Sequence, residues 1–333
     1  MTAATGTVVE VEGLRVEFRT RAGWARAVDD VGFRLTEGRT MAVLGESGSG
    51  KSATARAMLG VLPRHQSRVS AGSIRVAGRD VLAMTEAARR DVRGAEMAMV
   101  FQDALSALNP VLPVGYQVAE GARRHLRLGR REARERAVDM LALVGIPDPA
   151  RRAGDYPHQF SGGMRQRVMI AMALAADPEV LVADEPTTAL DVTIQAQILD
   201  LLRGLQEERS MALLLITHDM GVVAQAADDI TVMYAGRVVE QGPADAVLAD
   251  PAHPYTRALL LSVPRPEHKG RALPVIPGSP PDISALPTGC AFSPRCPLAA
   301  HECTAPPPLV EVAPGHLSAC HLSVPSGVGG HHG

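Results

Sequence analysis

The chain has 333 residues, room for about two domains. Its 46% hydrophobic and 21% charged residues are those of a folded globular protein, which excludes wholesale disorder. Lys plus Arg (34) nearly balances Asp plus Glu (36), and the net charge of −2 argues against a protein that coats nucleic acid.

Aromatic residues are only 3%, so core volume has to come from Ala, Val, Leu and Met. Residues 1–13 hold no basic start followed by an apolar stretch, so no secretory signal is expected. The longest apolar run, 168–176, is far short of the ~20 residues a membrane-spanning helix needs. A soluble, cytosolic protein is the expectation.

In chain order, a first strand pattern covers 14–18 (LRVEF). From there to Pro264, short apolar runs alternate with longer helical patterns, which predicts an α/β domain with a largely parallel sheet. Thr40 to Leu44 leads into Gly45-Glu-Ser-Gly-Ser-Gly-Lys-Ser52, and a helix is predicted from near Ser52. The spacing is that of a P-loop. Gly45, Gly48 and Gly50 let the backbone turn so that the N–H groups of Glu46, Ser47, Ser49 and their neighbours face phosphate oxygens. The helix behind adds its positive end, Lys51 can reach the β- and γ-phosphates, and the Ser52 hydroxyl can ligate Mg²⁺. A nucleoside triphosphate is the predicted ligand.

A helical region at about 119–152 interrupts the alternation. Its arginines (Arg123, Arg124, Arg127, Arg130, Arg131, Arg134, Arg136) invite a nucleic-acid reading. Interleaved Glu132, Glu135 and Asp139, with Leu141 and Val144 on an apolar stripe, fit a solvated amphipathic helix better. Ser161, Gly162 and Gly163 then open a helix predicted at 164–175, offering a hydroxyl and backbone N–H donors to an anion. The run 180–183 ends in Asp184-Glu185: a strand-end aspartate can hold Mg²⁺ through its water shell, and the next glutamate can orient and deprotonate a water. The run 213–216 ends in Thr217-His218-Asp219, where a histidine can hold the γ-phosphate and sense its loss. Ligands bind beyond the carboxyl ends of strands in open α/β sheets, so these clusters are expected to serve one site.

Composition changes near Pro264. All four cysteines and more than half of the 25 prolines lie beyond it, and 327–333 read as a disordered end. The predicted division is 1–264, a nucleotide-binding domain with a helical subdomain at about 103–178, and 265–333, a Pro- and Cys-rich extension.

Phe160-Ser-Gly-Gly-Met-Arg-Gln-Arg167, followed by Asp184-Glu-Pro-Thr-Thr-Ala-Leu-Asp191, resembles the signature, Walker B and D-loop motifs of ATP-binding cassette transporter ATPases. Gln102 matches that family's Q-loop and His218 its switch histidine. The resemblance covers about 8–264 and implies a RecA-like core plus helical subdomain. It further implies catalysis by Glu185, Gln102 and His218, with Mg²⁺ held by Ser52, Gln102 and Asp184. Ser161, Gly162, Gly163 and Asp191 are implied to face nucleotide bound by a second subunit. Phe160, Met164 and Ala189 depart from the common wording of these motifs. The family also places an aromatic ring upstream of the P-loop for adenine stacking. Phe18 is the choice here, with Trp24 the alternative.

Gln102-Asp-Ala-Leu-Ser-Ala-Leu-Asn-Pro110, His253-Pro-Tyr-Thr-Arg-Ala-Leu259 and the Cys-bearing tail resemble the D-type ATPase subunits of oligopeptide and dipeptide importers. That implies a motor on the cytoplasmic face of the membrane, docked through 103–117 on two permease subunits. It also implies a second, similar ATPase and, indirectly, an extracytoplasmic solute-binding protein. Related subunits serve nickel and glutathione uptake. A soluble cassette ATPase on DNA or ribosomes would carry a coiled-coil insertion or a second P-loop, and the chain has neither. A redox regulator built around the tail is the third reading.

Cys290, Cys296, Cys303 and Cys320 are spaced C-x5-C-x6-C-x16-C. Disulfides rarely persist in a reducing compartment, so a metal centre is expected. Zinc usually shows C-x2–4-C pairs, and the wider spacings fit an iron–sulfur cluster at least as well. The resemblance points the same way, to a [4Fe–4S] cluster. Zn²⁺ is the runner-up, with His301, His316 or His321 replacing a thiolate.

Overall fold

The apolar runs become strands buried at every residue: Thr40–Leu44, Met97–Val100, Val180–Asp184 and Ala212–Thr217. Continuous burial of this kind belongs to parallel sheets covered on both faces. The computed structural model describes residues 6–21, 23–188, 190–263 and 275–323. The chain divides into two units, each with its own framework.

The first unit comprises Met1–Val9, Leu35–Arg39 and Arg75–Ile216. Its strands Met97–Val100, Val180–Asp184 and Ala212–Thr217 run parallel, with Val100 opposite Ala183 and Asp184 opposite Ile216. Helices Val114–His125, Arg130–Leu143 and Gly162–Leu174 pack together. Small residues let them approach: Ala122, Ala133 and Ala137 are fully buried. In Arg130–Leu143 the buried residues Ala133, Ala137, Met140 and Leu141 form one stripe, while Arg131 and Glu135 pair one turn apart on the outside. Arg136 binds Asp177. The arginine-rich segment is therefore not one helix but two main ones, Val114–His125 and Arg130–Leu143, of which the second carries the interleaved acids on its solvated face.

The second unit comprises Glu10–Arg34, Thr40–Ile74 and Thr217–Gly333. Thr40–Leu44 pairs parallel with Asp229–Tyr234, from Met41 opposite Asp229 to Leu44 opposite Val232. Asp229–Tyr234 pairs antiparallel with Arg237–Pro243. His316–Ser318, from the tail, adds to that edge with Glu240 opposite Ser318, and Val310–Ala313 completes it. The first strand is longer than its pattern suggests, Thr7–Thr20, and lies beside Gly23–Thr36.

The tail also enters the core of this unit. Phe292 is buried against Tyr234 and Tyr255, with ring centroids 5.3 Å away from each, and Tyr234 and Tyr255 are 4.6 Å apart. Ile276, Leu286, Cys290 and Cys296 pack on the same cluster as Leu44, Val232 and Val247. A Pro-rich segment with few large apolar residues thus borrows a core rather than building one. The expected boundary at Pro264, the D-loop departure at Ala189 and the end at 327–333 lie outside the described residues. Among the described residues, no helix is long and apolar enough to cross a membrane.

Candidate functional site

The loop Gly45 to Ser52 joins the buried strand Thr40–Leu44 to the helix Lys51–Met58. Gly50 has φ 100, and a Cβ there would lie 2.5 Å from the Ala27 carbonyl, so only glycine closes this turn. Lys51 is 5% exposed. Its ammonium donates to the carbonyls of Gly45 (2.7 Å) and Glu46 (2.9 Å) and to Ser49 Oγ (3.3 Å). A buried cation held by backbone and hydroxyl oxygens of a glycine-turned loop has the chemistry of a phosphate cradle. Ser52 is half-buried in the first turn of the helix.

Glu46 stands apart from the rest of the loop. Its N–H donates to the Tyr255 hydroxyl at 2.9 Å, and its carboxylate takes two hydrogen bonds from Arg295. Sequence reasoning groups Glu46 with the phosphate donors and passes over Tyr255 and Arg295. The Glu46 carboxylate, outweighing burial, holds Arg295 firmly charged. Burial pushes the Tyr255 hydroxyl far above the ordinary phenol range. His218 is exposed just past Thr217, and the Asp219 side chain caps the next helix, Met220–Ala226, accepting from Gly221 N–H at 2.8 Å. Phe18 is half-buried on its strand, and Trp24 is 42% exposed under the Arg68 guanidinium.

In the first unit, Asp184 ends its strand at 1% exposure. Glu185 follows with φ 49, a left-handed conformation uncommon for a glutamate, and its N–H donates to the Ile216 carbonyl at 2.9 Å. Two donors converge on Glu185 Oε2: Gln102 Nε2 at 2.8 Å and Thr188 Oγ1 at 2.9 Å. Ser161 is the N-cap of Gly162–Leu174, its Oγ accepting from Met164 N–H, so the helix starts two residues earlier than expected. Gly163 is required by proximity, since a Cβ would lie 2.8 Å from Ile194 Cγ2. Asp191 caps Val192–Arg209, accepting from Ile194 N–H at 2.9 Å.

The metal expectation for the tail is not supported. Cys290, Cys296, Cys303 and Cys320 are free thiols, and among the described residues no group of His, Cys, Asp or Glu is arranged to hold a metal. Ser293 N–H donates to the Cys290 carbonyl, Ala299 N–H to that of Cys296 and Ser323 N–H to that of Cys320, while Cys290 N–H donates to the Cys303 carbonyl at 2.9 Å. Burial pushes the Cys290 and Cys296 thiols up, and the nearby Cys303 and Cys320 add to it. His316 shares a 2.7 Å hydrogen bond with buried Glu240, and His321 one of 3.0 Å with the Ala305 carbonyl. Among the described residues, neither the [4Fe–4S] cluster nor its zinc alternative is supported by an arranged ligand group.

The strand–loop–helix around Lys51 defines a P-loop nucleotide-binding protein. The sequence family described as ABC transporter matches residues 28–188, and that described as the oligopeptide/dipeptide transporter C-terminal region matches 239–303. A Brucella abortus protein whose name describes peptide import ATP-binding is 50% identical over 322 residues, 97% of each chain. A second from the same organism, similarly named, is 50% identical over 325 residues, 94% of this chain and 96% of its own. Among solved structures, an ATP-binding cassette captured as a dimer after hydrolysis with ADP and phosphate is 26% identical, with a TM-score of 0.64, covering 71% of this chain and 98% of its own. A component of an ABC transporter complex from Clostridium perfringens is 29% identical, with a TM-score of 0.63, covering 74% and 92%. The chain belongs to the ATP-binding cassette transporter family and is an ATPase of that family.

Proposed function

We propose that this protein is the ATP-hydrolysing subunit that powers peptide import through separate permease subunits, from the cytoplasmic face of the membrane. The observation that carries the reading is half-identity, along 97% of both chains, to a protein named for peptide import. The match of 239–303 to the oligopeptide/dipeptide transporter C-terminal region supports the same solute class.

In this reading Gly45, Gly48, Gly50 and Lys51, with the N–H groups of Ser47 and Ser49, grip the triphosphate. Ser52, Gln102 and Asp184 offer oxygen ligands suited to Mg²⁺, which would offset phosphate charge. Glu185 takes the proton of the attacking water, and His218 holds the γ-phosphate. Phe18, or Trp24 in its place, stacks on adenine. Ser161, Gly162, Gly163 and Asp191 serve nucleotide on a second, similar ATPase subunit. The domains are 1–264, with the helical subdomain at 103–178, and the extension 265–333. Permeases dock through 103–117, where Val111 and Tyr116 are exposed at 74% and 52%.

The test is co-expression with and without candidate permease subunits. Membrane association only with permeases, and ATP turnover raised by peptides with their binding protein, are expected. Stimulation by a metal chelate or glutathione instead would overturn the peptide assignment, and membrane-independent turnover on nucleic acid or ribosomes would overturn the transport reading.

A further inference from the structure

Arg295 lies 249 residues beyond Glu46 in the chain, in the short turn Ser293–Arg295 of the tail. Its side chain is 6% exposed, and its donors are all directed inward. Nη1 donates to Glu46 Oε2 at 2.6 Å and Nη2 to Glu46 Oε1 at 3.0 Å, a two-pronged grip. Nε donates to the Pro277 carbonyl at 2.7 Å, and Nη1 also reaches the Tyr234 hydroxyl at 3.2 Å. The planar guanidinium fits a carboxylate in this way and a lysine ammonium does not. A cation this deeply buried is costly unless its partner stays in place.

Glu46 is held at each of its polar groups. Arg295 holds the carboxylate, the Tyr255 hydroxyl accepts from the N–H, and Lys51 Nζ donates to the carbonyl. Pulling on the carboxylate therefore moves the carbonyl on which the Lys51 ammonium rests. Lys51 must leave the Gly45 and Glu46 carbonyls to reach a phosphate. At that moment the loop loses its internal cation, and its shape depends on what grips it from outside.

We propose that Arg295 is a positioning residue for nucleotide binding, bracing the P-loop through the Glu46 carboxylate so that the tail sets how well Lys51 and the loop amides meet phosphate. This rests on the P-loop being the nucleotide site.

The experiment titrates the full chain with a fluorescent ATP analogue and Mg²⁺ at fixed ionic strength, with thermal unfolding measured alongside. Lys51→Ala tests the underlying reading: unchanged affinity in that variant would overturn the P-loop as the site. With that loss established, Arg295→Ala and Glu46→Gln should each weaken binding about tenfold, as expected for removing a charge-assisted pair. Arg295→Lys should fall between, restoring charge without the fork. The double variant should bind no more weakly than the worse single, because both remove one brace. If Arg295→Ala does not fold, Arg295→Lys and Glu46→Gln carry the measurement. Affinity within twofold of the unmodified chain in folded Glu46→Gln, or losses that multiply in the double variant, would overturn the proposal, leaving a salt bridge that merely pins the tail.

Discussion

Gln102 donates a hydrogen bond to Glu185 across 2.8 Å, tying the ends of two neighbouring parallel strands at one carboxylate oxygen. With Thr188 on the same oxygen, Glu185 is oriented from two sides. Glu185→Gln should keep ATP·Mg binding and lose turnover by at least ~100-fold, since an amide cannot accept the proton of water. Gln102→Ala should cut turnover less, by about tenfold, because one orienting bond remains. ATPase assays on the assembled transporter decide it: comparable turnover by Glu185→Gln would remove the base role.

The signature glycine offers a packing test. Gly163→Ala would force its methyl against Ile194, and overpacking of this kind costs about 1–3 kcal/mol. Denaturant unfolding should show the loss, and Gly163→Ala combined with Ile194→Ala should recover part of it. A single variant as stable as the original would mean that the helix Val192–Arg209 yields freely.

His253 predicts an acid-sensitive fold. It is 2% exposed, and burial pushes its pKa down to about 4. The unfolded chain keeps the ordinary value near 6.5, so it binds the extra proton first as pH falls. The stability from a neutral His253 is thus complete above about pH 6.5 and is lost progressively towards pH 4, to a limit of about 3 kcal/mol. His253→Asn retains an acceptor for the Tyr255 N–H and does not titrate. Its melting temperature should fall less than that of the unmodified chain between pH 7 and pH 4.5. Parallel losses would acquit His253.

If Ser161, Gly162 and Gly163 serve nucleotide on a partner, the isolated subunit should turn over ATP slowly. Activity should then rise steeply on mixing with the second ATPase subunit. Full, concentration-independent turnover by a monomer would contradict this.

The strand–loop–helix around Lys51, the carboxylates at the end of Val180–Asp184 and the helix start at Ser161 were legible because each is a short local pattern. The buried strands were legible for the same reason: uninterrupted apolar runs such as Ala212–Thr217. The brace on Glu46 was not, because a lone arginine in a Pro-rich stretch carries no local signal of a partner 249 residues away. The cysteine count raises a metal expectation that no arranged ligand group among the described residues supports. Spacing records separation along the chain, and it does not show that Cys290 and Cys296 pack against an apolar cluster.

Trp24, the chain's single tryptophan, is 42% exposed on Gly23–Thr36 with the Arg68 guanidinium 4.3 Å from its ring centroid. The protein's tryptophan emission therefore originates at its surface and is red-shifted before any denaturant is added. Following it during unfolding records the parting of indole and guanidinium at one edge. Of the four tyrosines, Tyr234 and Tyr255 lie beside Phe292, so the buried part of the tyrosine signal responds to release of the tail.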